Sequence, residues 1–227
     1  MSTGEPVLTP RLWRSRRAAA IAGLLFGVLL IAALVMARVA MTEGSFESLR
    51  TDAQRRSMIR LSLNLVPFAG IAFLWFIGVL RDQLGAVEDR LFSTVFLGSG
   101  VLFLAMLFIG TVTSTSLMVM LTRPSPDVEI FAYGLSSTRV LISVYAMRMA
   151  AVFTLSVSTV GLRTAALPRW VCYLGYLVGL TLLVAAARFQ WSQVIFPAWV
   201  LLVSLSLLVI RPAAPDPTST AYVAPNG

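Results

Sequence analysis

Residues 18–37, AAAIAGLLFGVLLIAALVMA, decide the fold class of this chain, because the stretch holds no polar or charged side chain. A helix of about 20 apolar residues is what the ~30 Å hydrocarbon core of a bilayer requires. The stretch is preceded by four basic residues, Arg11, Arg14, Arg16 and Arg17. Basic residues before an apolar run also mark signal peptides, but the apolar region of a signal peptide is shorter, roughly 7–15 residues. We therefore expect an uncleaved first span, with cleavage after Ala37 as the alternative.

The composition of the whole chain also indicates a membrane protein. Of its 227 residues, 58% are apolar and only 12% are charged, and the mean hydropathy is +0.85. A soluble domain carries about 25% charged residues, and a disordered chain combines low hydrophobicity with high charge, so both classes are excluded. The net charge of +8 then indicates loops that lie against anionic lipid headgroups, rather than a nucleic-acid partner.

The residue types that the chain lacks remove most catalytic chemistry. There is no histidine, and all 18 basic residues are arginine, so imidazole metal ligands, haem-binding histidines and lysine nucleophiles are excluded. The single cysteine, Cys172, cannot form a disulfide within the chain. The ten acidic residues cluster in loops and termini, whereas intramembrane hydrolysis needs paired carboxylates or an activated nucleophile. We expect no cofactor, no bound metal and no catalytic activity.

Five more apolar runs follow the first one. They cover residues 58–80, 91–121, 138–162, 170–187 and 194–210. The run 91–121 becomes rich in Thr and Ser after Gly110, so its end leaves the bilayer, faces protein or belongs to a strongly tilted helix. The expected fold is an all-α polytopic transmembrane bundle of about six spanning helices over residues 18–210. A cytoplasmic basic segment, 1–17, precedes this domain, and a disordered tail, 211–227, follows it.

The orientation in the membrane depends on how arginine is distributed between the two sides. With the N-terminus inside, nine arginines fall on the inner side and eight on the outer side, while Arg148 lies within a span. The dense basic flank of the first span favours an inner N-terminus, because the first helix usually dominates. With six spans, both termini are then cytoplasmic in a bacterial inner membrane.

Arg148 is the most informative single residue, because about ten residues of apolar helix flank it on either side in the run 138–162. A guanidinium at the centre of a span costs on the order of a few kcal/mol on insertion scales. No Asp or Glu lies near the centre of any run, so we expect Arg148 to face the bundle interior, a water-filled cavity or an anionic partner. The alternative is a structural arginine that binds carbonyl groups and water, or one that snorkels to the interface.

The same run has two distinct faces when it is placed on a helix. At about 100° per residue, a stripe of mostly small or hydroxyl-bearing residues forms, which suits close helix packing. Its members are Ser143, Met147, Ala150, Ala151, Thr154, Ser158 and Gly161. Tyr145 shares the face of Arg148, to one side of the stripe. The candidate ligand-binding or lipid-binding residues are Arg139, Ser143, Tyr145 and Arg148.

Two GxxxG patterns, Gly23/Gly27 and Gly175/Gly179, would let helices approach closely. Glycine is common in membrane helices. We therefore expect these pairs to pack within the chain, with dimerisation as the alternative.

The chain shows two resemblances to known membrane proteins. The turn 78–85, GVLRDQLG, resembles the loop signature of major facilitator transporters, in which an acidic residue and a glycine tighten a cytoplasmic turn. The turn departs from that signature after Gly85, where AVED replaces a basic pair. In addition, six spans are only half of such a transporter. The preferred interpretation is therefore a tight turn with interfacial ion pairs. Residues 75–100 and 145–170 resemble uncharacterised multi-pass proteins of high-GC, actinobacterial type. That resemblance implies a six-helix inner-membrane protein and assigns no chemistry.

These features predict an integral membrane protein without catalytic activity, either an accessory subunit of a membrane complex or a lipid-binding component. Its expected partners are anionic lipid headgroups, other subunits or further copies of the chain. The alternative is an oligomeric transporter or channel for a small anionic or polar solute, which would use Arg148 and the hydroxyl-rich segment 111–116.

Overall fold

A computed structural model describes residues 9–41, 46–84, 90–186, 188 and 191–209. Within these ranges all regular structure is helical. The predicted tail 211–227 and the first half of the predicted basic segment 1–17 lie outside the described residues. So do residues 85–89, which contain the end of the transporter-like turn.

The helices follow the predicted apolar runs. In chain order they are α1 (Thr9–Met41), α2 (Phe46–Thr51), α3 (Ala53–Leu84), α4 (Arg90–Leu121), α5 (Val128–Val140), a π-helical segment (Leu141–Ala146), α6 (Met147–Arg163), α7 (Arg169–Ala185) and α8 (Ser192–Val209). In the part of the chain that the structure describes, five stretches of helix are long and apolar enough to cross a bilayer. The remaining apolar helix, α7, has 17 residues, at the lower end of the roughly 17–25 residues that a span uses. The predicted all-α membrane bundle is confirmed.

The fourth crossing is longer than the sequence predicts, because α5, the π-helical segment and α6 form one continuous helix, Val128–Arg163. The apolar run begins at Thr138, but the helix begins ten residues earlier. Its start is set by Asp127, whose side chain accepts hydrogen bonds from the N–H groups of Glu129 (2.9 Å) and Ile130 (3.1 Å). A carboxylate that satisfies the first N–H groups in this way starts a helix even where the sequence is half polar.

The π-helical segment changes which face of this helix is exposed. Nine residues of regular α-helix would place Arg139 and Arg148 on opposite sides of the helix, yet both side chains are exposed. A π turn holds one residue more than an α turn. We infer that the extra residue turns Arg148 back toward the exposed side that carries Arg139.

Phenyl rings fill the centre of the bundle. Six of them are fully buried: Phe26, Phe73, Phe76, Phe103, Phe153 and Phe196. They come from α1, α3, α4, α6 and α8, and the ring centroids of Phe26 and Phe73 are 4.5 Å apart, while those of Phe103 and Phe196 are 4.8 Å apart. These are distances of packed aromatic pairs. The centre of the described bundle is therefore a close-packed apolar core.

A second, smaller core lies at the end of the bundle that carries α2, which we call the α2 end. Its buried members are Ala40, Leu49, Ile59, Leu117, Leu121 and Phe131. They belong to α1–α5, and the described residues of α7 and α8 contribute none. α3 and α4 have 32 residues each, about 48 Å of helix, which exceeds the ~30 Å hydrocarbon core. We infer that the longer helices project beyond the bilayer at the α2 end, together with the hydroxyl-rich end of α4.

The GxxxG glycines lie where helices of the same chain cross. Gly23 and Gly27 face α8, and a Cβ on Gly27 would lie 3.1 Å from the carbonyl oxygen of Pro197. Gly175 and Gly179 face α6 in the same way. The absence of side chains at these four positions lets α1 approach α8 and lets α7 approach α6.

Candidate functional site

Arg148 lies on the outer surface of the bundle. Its side chain is exposed, whereas its neighbours Met147, Ala150 and Ala151 are buried against other helices. Among the residues that the structure describes, none forms a hydrogen bond or an ion pair with Arg148. The structure thus places Arg148 in neither the bundle interior nor an enclosed cavity, which leaves an anionic partner outside this chain, or the interface itself, to satisfy its charge.

One hydrogen bond fixes the height of this helix relative to α8. Gln193 donates from Nε2 to the Oγ of Ser143 at 2.8 Å. Gln193 lies in the first turn of α8, close to Trp191, and the guanidinium of Arg38 lies 5.4 Å from the centroid of the Trp191 ring. Trp and Arg at helix ends are typical of the membrane–water interface. Ser143 therefore lies near the boundary of the hydrocarbon core at the α2 end.

Arg148 is closer to this boundary than its place in the sequence indicates. It follows Ser143 by five residues, so it lies about 7 Å deeper. A count from the other end of the helix gives the same answer. α6 ends at Arg163, about 22 Å beyond Arg148, so a ~30 Å core leaves about 8 Å on the α2 side. Arg148 is therefore in the outer quarter of the membrane rather than at its centre, because the apolar run 138–162 starts above the boundary.

Three of the four candidate residues are exposed on this one helix. Side chains point toward the N-terminus of their helix, so that of Arg148 points toward the α2 end. Arg139 is exposed about 13 Å away along the axis, and Tyr145, 53% exposed, lies between the two. We call these three residues the arginine face. Guanidinium groups bind phosphate and carboxylate with paired hydrogen bonds, so the arginine face can bind an anion at the interface.

Ser143, the fourth candidate, is not part of the arginine face. It is half-buried and joins the π-helical segment to α8 through its hydrogen bond with Gln193. Sequence reasoning missed Gln193, although an amide at the start of an apolar helix is a visible signal. The signal does not identify the partner, because the two residues are 50 positions apart in the chain.

Four of the five hydroxyl groups of segment 111–116 are bound on their own helix. Thr111, Thr113, Thr115 and Ser116 each donate to the carbonyl group four residues earlier, at 2.8–3.0 Å. Thr115 lines a shallow groove on the surface, and Arg148 is not among the residues that line it. Among the described residues, Arg148 and segment 111–116, which the transporter alternative would use together, therefore do not meet in that groove.

Two of the acidic residues that the structure describes, Asp52 and Asp127, have local structural roles. No group of three or more His, Cys, Asp or Glu side chains that could hold a metal ion occurs among the described residues. Asp52 precedes α3 and accepts hydrogen bonds from the N–H groups of Gln54 (2.9 Å) and Arg55 (3.1 Å). The Arg55 N–H, followed by the Gln54 N–H and the Arg55 charge, holds the pKa of Asp52 below its usual value, although partial desolvation opposes the shift. Asp52 thus caps α3.

Comparisons with known proteins give no match for this chain. No protein-family model matches it, and neither a curated protein nor a solved structure does. The family resemblances seen in the sequence therefore stay predictions, and the function has to be inferred from the geometry.

Proposed function

We propose that the protein is an integral membrane protein without catalytic activity, and that its arginine face binds the headgroup of an anionic phospholipid. One observation carries the proposal. The exposed guanidinium of Arg148 belongs to a residue about 7 Å inside the hydrocarbon boundary, and no described residue neutralises it.

The position of the arginine face favours a lipid phosphate as the partner. Lipid phosphates lie just outside the hydrocarbon boundary, above Arg148 and below or beside Arg139. Both guanidinium groups can therefore reach the same layer, and a phosphate accepts paired, charge-assisted hydrogen bonds from each. Tyr145 is exposed on the same helix, and tyrosine is enriched at this boundary. A partner subunit would have to bring a carboxylate within reach of Arg148, whereas the phosphates of a phospholipid bilayer already line the boundary above it.

We place the protein in a bacterial inner membrane with both termini cytoplasmic, so that the α2 end faces outward. The height of Arg148 affects the support for this orientation. Because Arg148 lies near the outer boundary, it counts as a ninth outer arginine, and each side then carries nine arginines. The orientation then depends only on the basic flank of α1, through the usual dominance of the first helix.

The proposal is tested by counting the lipids that remain bound to purified variants. The protein is extracted in mild detergent with phosphatidylglycerol and phosphatidylcholine, and bound lipids are measured by native mass spectrometry. Loss of a hydrogen bond to a charged group costs about 1.5 kcal/mol, so Arg148→Gln should retain phosphatidylglycerol about tenfold more weakly. Arg148→Lys should be intermediate, because lysine keeps the charge but not the paired geometry. Arg123→Gln, an exposed arginine at the same end, is the matched control.

Two results would contradict lipid binding by the arginine face. The first is equal retention of phosphatidylglycerol by Arg148→Gln and by the unmodified protein. The second is a protein that co-purifies in fixed stoichiometry and is released by Arg148→Gln, which would instead favour the role of an accessory subunit. Anion uptake by vesicles that contain only this protein would favour the transporter.

A further inference from the structure

A groove opens between α3 and α4 at the α2 end, away from the helix that carries the arginine face. Its polar lining is Arg60 and Asn64 of α3 and Thr115 and Thr122 of α4, and its apolar lining includes Leu63 and Met118. We call it the α3–α4 groove. It encloses about 120 Å³, several times the roughly 30 Å³ that one water molecule takes in the liquid. The groove therefore has room for a charged group and some of its substituents.

Arg60 gives the α3–α4 groove a positive charge that is available to a ligand. Its side chain is exposed, and no residue that the structure describes forms a hydrogen bond or an ion pair with it. Two other arginines of the α2 end are engaged. The Nε of Arg55 lies 3.1 Å from an oxygen of Asp52, and Arg50 donates to the carbonyl group of Pro124 at 3.2 Å. The groove thus attracts an anion by its own charge.

The α3–α4 groove lies at the height of the lipid headgroups. Three core rings give α1, α3 and α4 a common level: Phe26, Phe73 and Phe103, with centroids 4.5–6.5 Å apart. Twelve residues toward the α2 end, about 18 Å higher, the same helices reach Arg38, Leu61 and Thr115. Arg38 lies over Trp191 at the interface. Arg60 and Thr115 therefore flank the groove in the layer where phospholipid headgroups lie.

The two threonines of the groove are set to accept hydrogen bonds rather than donate them. The Oγ1 of Thr115 donates its proton to the carbonyl of Thr111 at 2.9 Å, and that of Thr122 donates to the carbonyl of Val119 at 2.7 Å. A hydroxyl has one proton but two acceptor lone pairs, so both oxygens can still accept. Asn64 can donate and accept. The ligand that fits this lining offers an anion to Arg60 and O–H donors to the threonines.

We propose that the α3–α4 groove binds a phospholipid with a polyol headgroup, such as glycerol or inositol. The phosphate binds Arg60, and the headgroup hydroxyls donate to Thr115 and Thr122. Leu63, one turn of α3 deeper in the membrane than Arg60, covers the part of the lipid that leads into the hydrocarbon core. The site does not depend on the arginine face, because it is built by a different pair of helices.

Affinities of short-chain lipids for the full-length protein in detergent test this proposal. The probes are dioctanoyl phosphatidylglycerol, dioctanoyl phosphatidic acid, dioctanoyl phosphatidylcholine and free glycerol 3-phosphate. They are measured on the protein with Arg148→Gln, so that the arginine face contributes little, and on the unmodified protein. The groove variants are Arg60→Gln and the double variant Thr115→Val, Thr122→Val, and Arg123→Gln is the matched control.

In the Arg148→Gln protein we expect phosphatidylglycerol to bind several-fold more tightly than phosphatidic acid, and phosphatidylcholine to bind most weakly. Arg60→Gln should weaken both anionic lipids about tenfold, as expected for loss of a charge-assisted pair. The double threonine variant should lower the affinity for phosphatidylglycerol to that for phosphatidic acid and leave the latter unchanged. Arg123→Gln should change neither.

Three results would overturn the proposal. Equal affinities of the Arg60→Gln variant and its parent would remove the anion site. An unchanged preference for phosphatidylglycerol in the threonine variant would remove the recognition of the polyol. Glycerol 3-phosphate binding as tightly as the lipid would mean that the groove holds a free phosphate ester instead. If Arg148→Gln weakens lipid binding and Arg60→Gln does not, the arginine face stands and the groove proposal fails.

Discussion

Gly175→Ala is the substitution for which the packing of the bundle gives the sharpest prediction. A Cβ at position 175 would overlap the Oγ of Ser158 and would lie 3.0 Å from Nε1 of Trp199. Ser158 is fully buried, and Trp199 is 3% exposed. Neither side chain can therefore move out into the lipid, and α6 and α7 have to separate or repack.

The expected loss in the free energy of unfolding is about 1–3 kcal/mol, the range for overpacking a close contact. Two smaller effects nearly cancel. If Ser158 turns away, it gives up the hydrogen bond that its Oγ donates to the carbonyl of Thr154 at 2.8 Å, which contributes about 1 kcal/mol. Alanine is favoured over glycine inside a helix by about the same amount, ~1 kcal/mol.

Two further variants separate the close contact from general effects of the substitution. A Cβ at Gly78, also inside a helix, would meet no atom within 4 Å. Gly78→Ala should therefore leave the protein as stable as before, or more stable by up to about 1 kcal/mol. Adding Ser158→Ala to Gly175→Ala removes the overlapping oxygen and should restore most of the lost stability.

The measurement is reversible unfolding in mixed micelles with a rising fraction of dodecyl sulfate, followed by tryptophan fluorescence and circular dichroism. The reasoning fails if Gly175→Ala is as stable as Gly78→Ala. It also fails if Ser158→Ala does not recover the loss, because the Ser158 oxygen would then not be the group that the new methyl meets.

Two further predictions concern the loss of stability at acidic pH and the orientation of the chain in the membrane. The pKa of Asp52 is lowered in the folded state, so its contribution to stability is present above the unfolded pKa of about 3.9 and is lost as the pH falls through the lower folded value. Between pH 5 and pH 2, about one unit above and two units below that pKa, the Asp52→Asn variant should therefore lose less stability than the unmodified protein. Equal losses would refute the stabilising role of the Asp52 carboxylate. A reporter that is active only in the cytoplasm should give a signal when it is fused after Gly227. Activity of a periplasmic reporter at the same position would reverse the proposed orientation.

The sequence predicts the membrane bundle well because span length and apolarity are local properties. Residues 18–37 and the described parts of the later runs fall in helices, apart from Ala186, since a backbone in hydrocarbon has to satisfy its hydrogen bonds within the segment. The start of the fourth helix is missed because a capping carboxylate, Asp127, and not hydrophobicity, determines it.

The candidate site is harder to predict, because the depth of a residue in the membrane and the side of the helix on which it is exposed depend on contacts between distant residues. Arg148 looks central when its own run is counted, whereas the bond between Gln193 and Ser143 shows that the run begins above the boundary. The π-helical segment also shifts the exposed side by one residue, which a wheel of uniform pitch does not reproduce. Arg60 belongs to a polar segment and gives no signal until α4 lies beside it.

The unequal lengths of the helices give the protein a hydrophobic mismatch on one flank only. α7 and α8 have 17 and 18 residues, about 26 Å of helix, which is some 4 Å less than the ~30 Å hydrocarbon core. Mismatch costs a fraction of a kcal/mol per Å, and the long helices α3 and α4 do not experience it. We therefore expect the bilayer to be thinner along α7 and α8 than along α3 and α4.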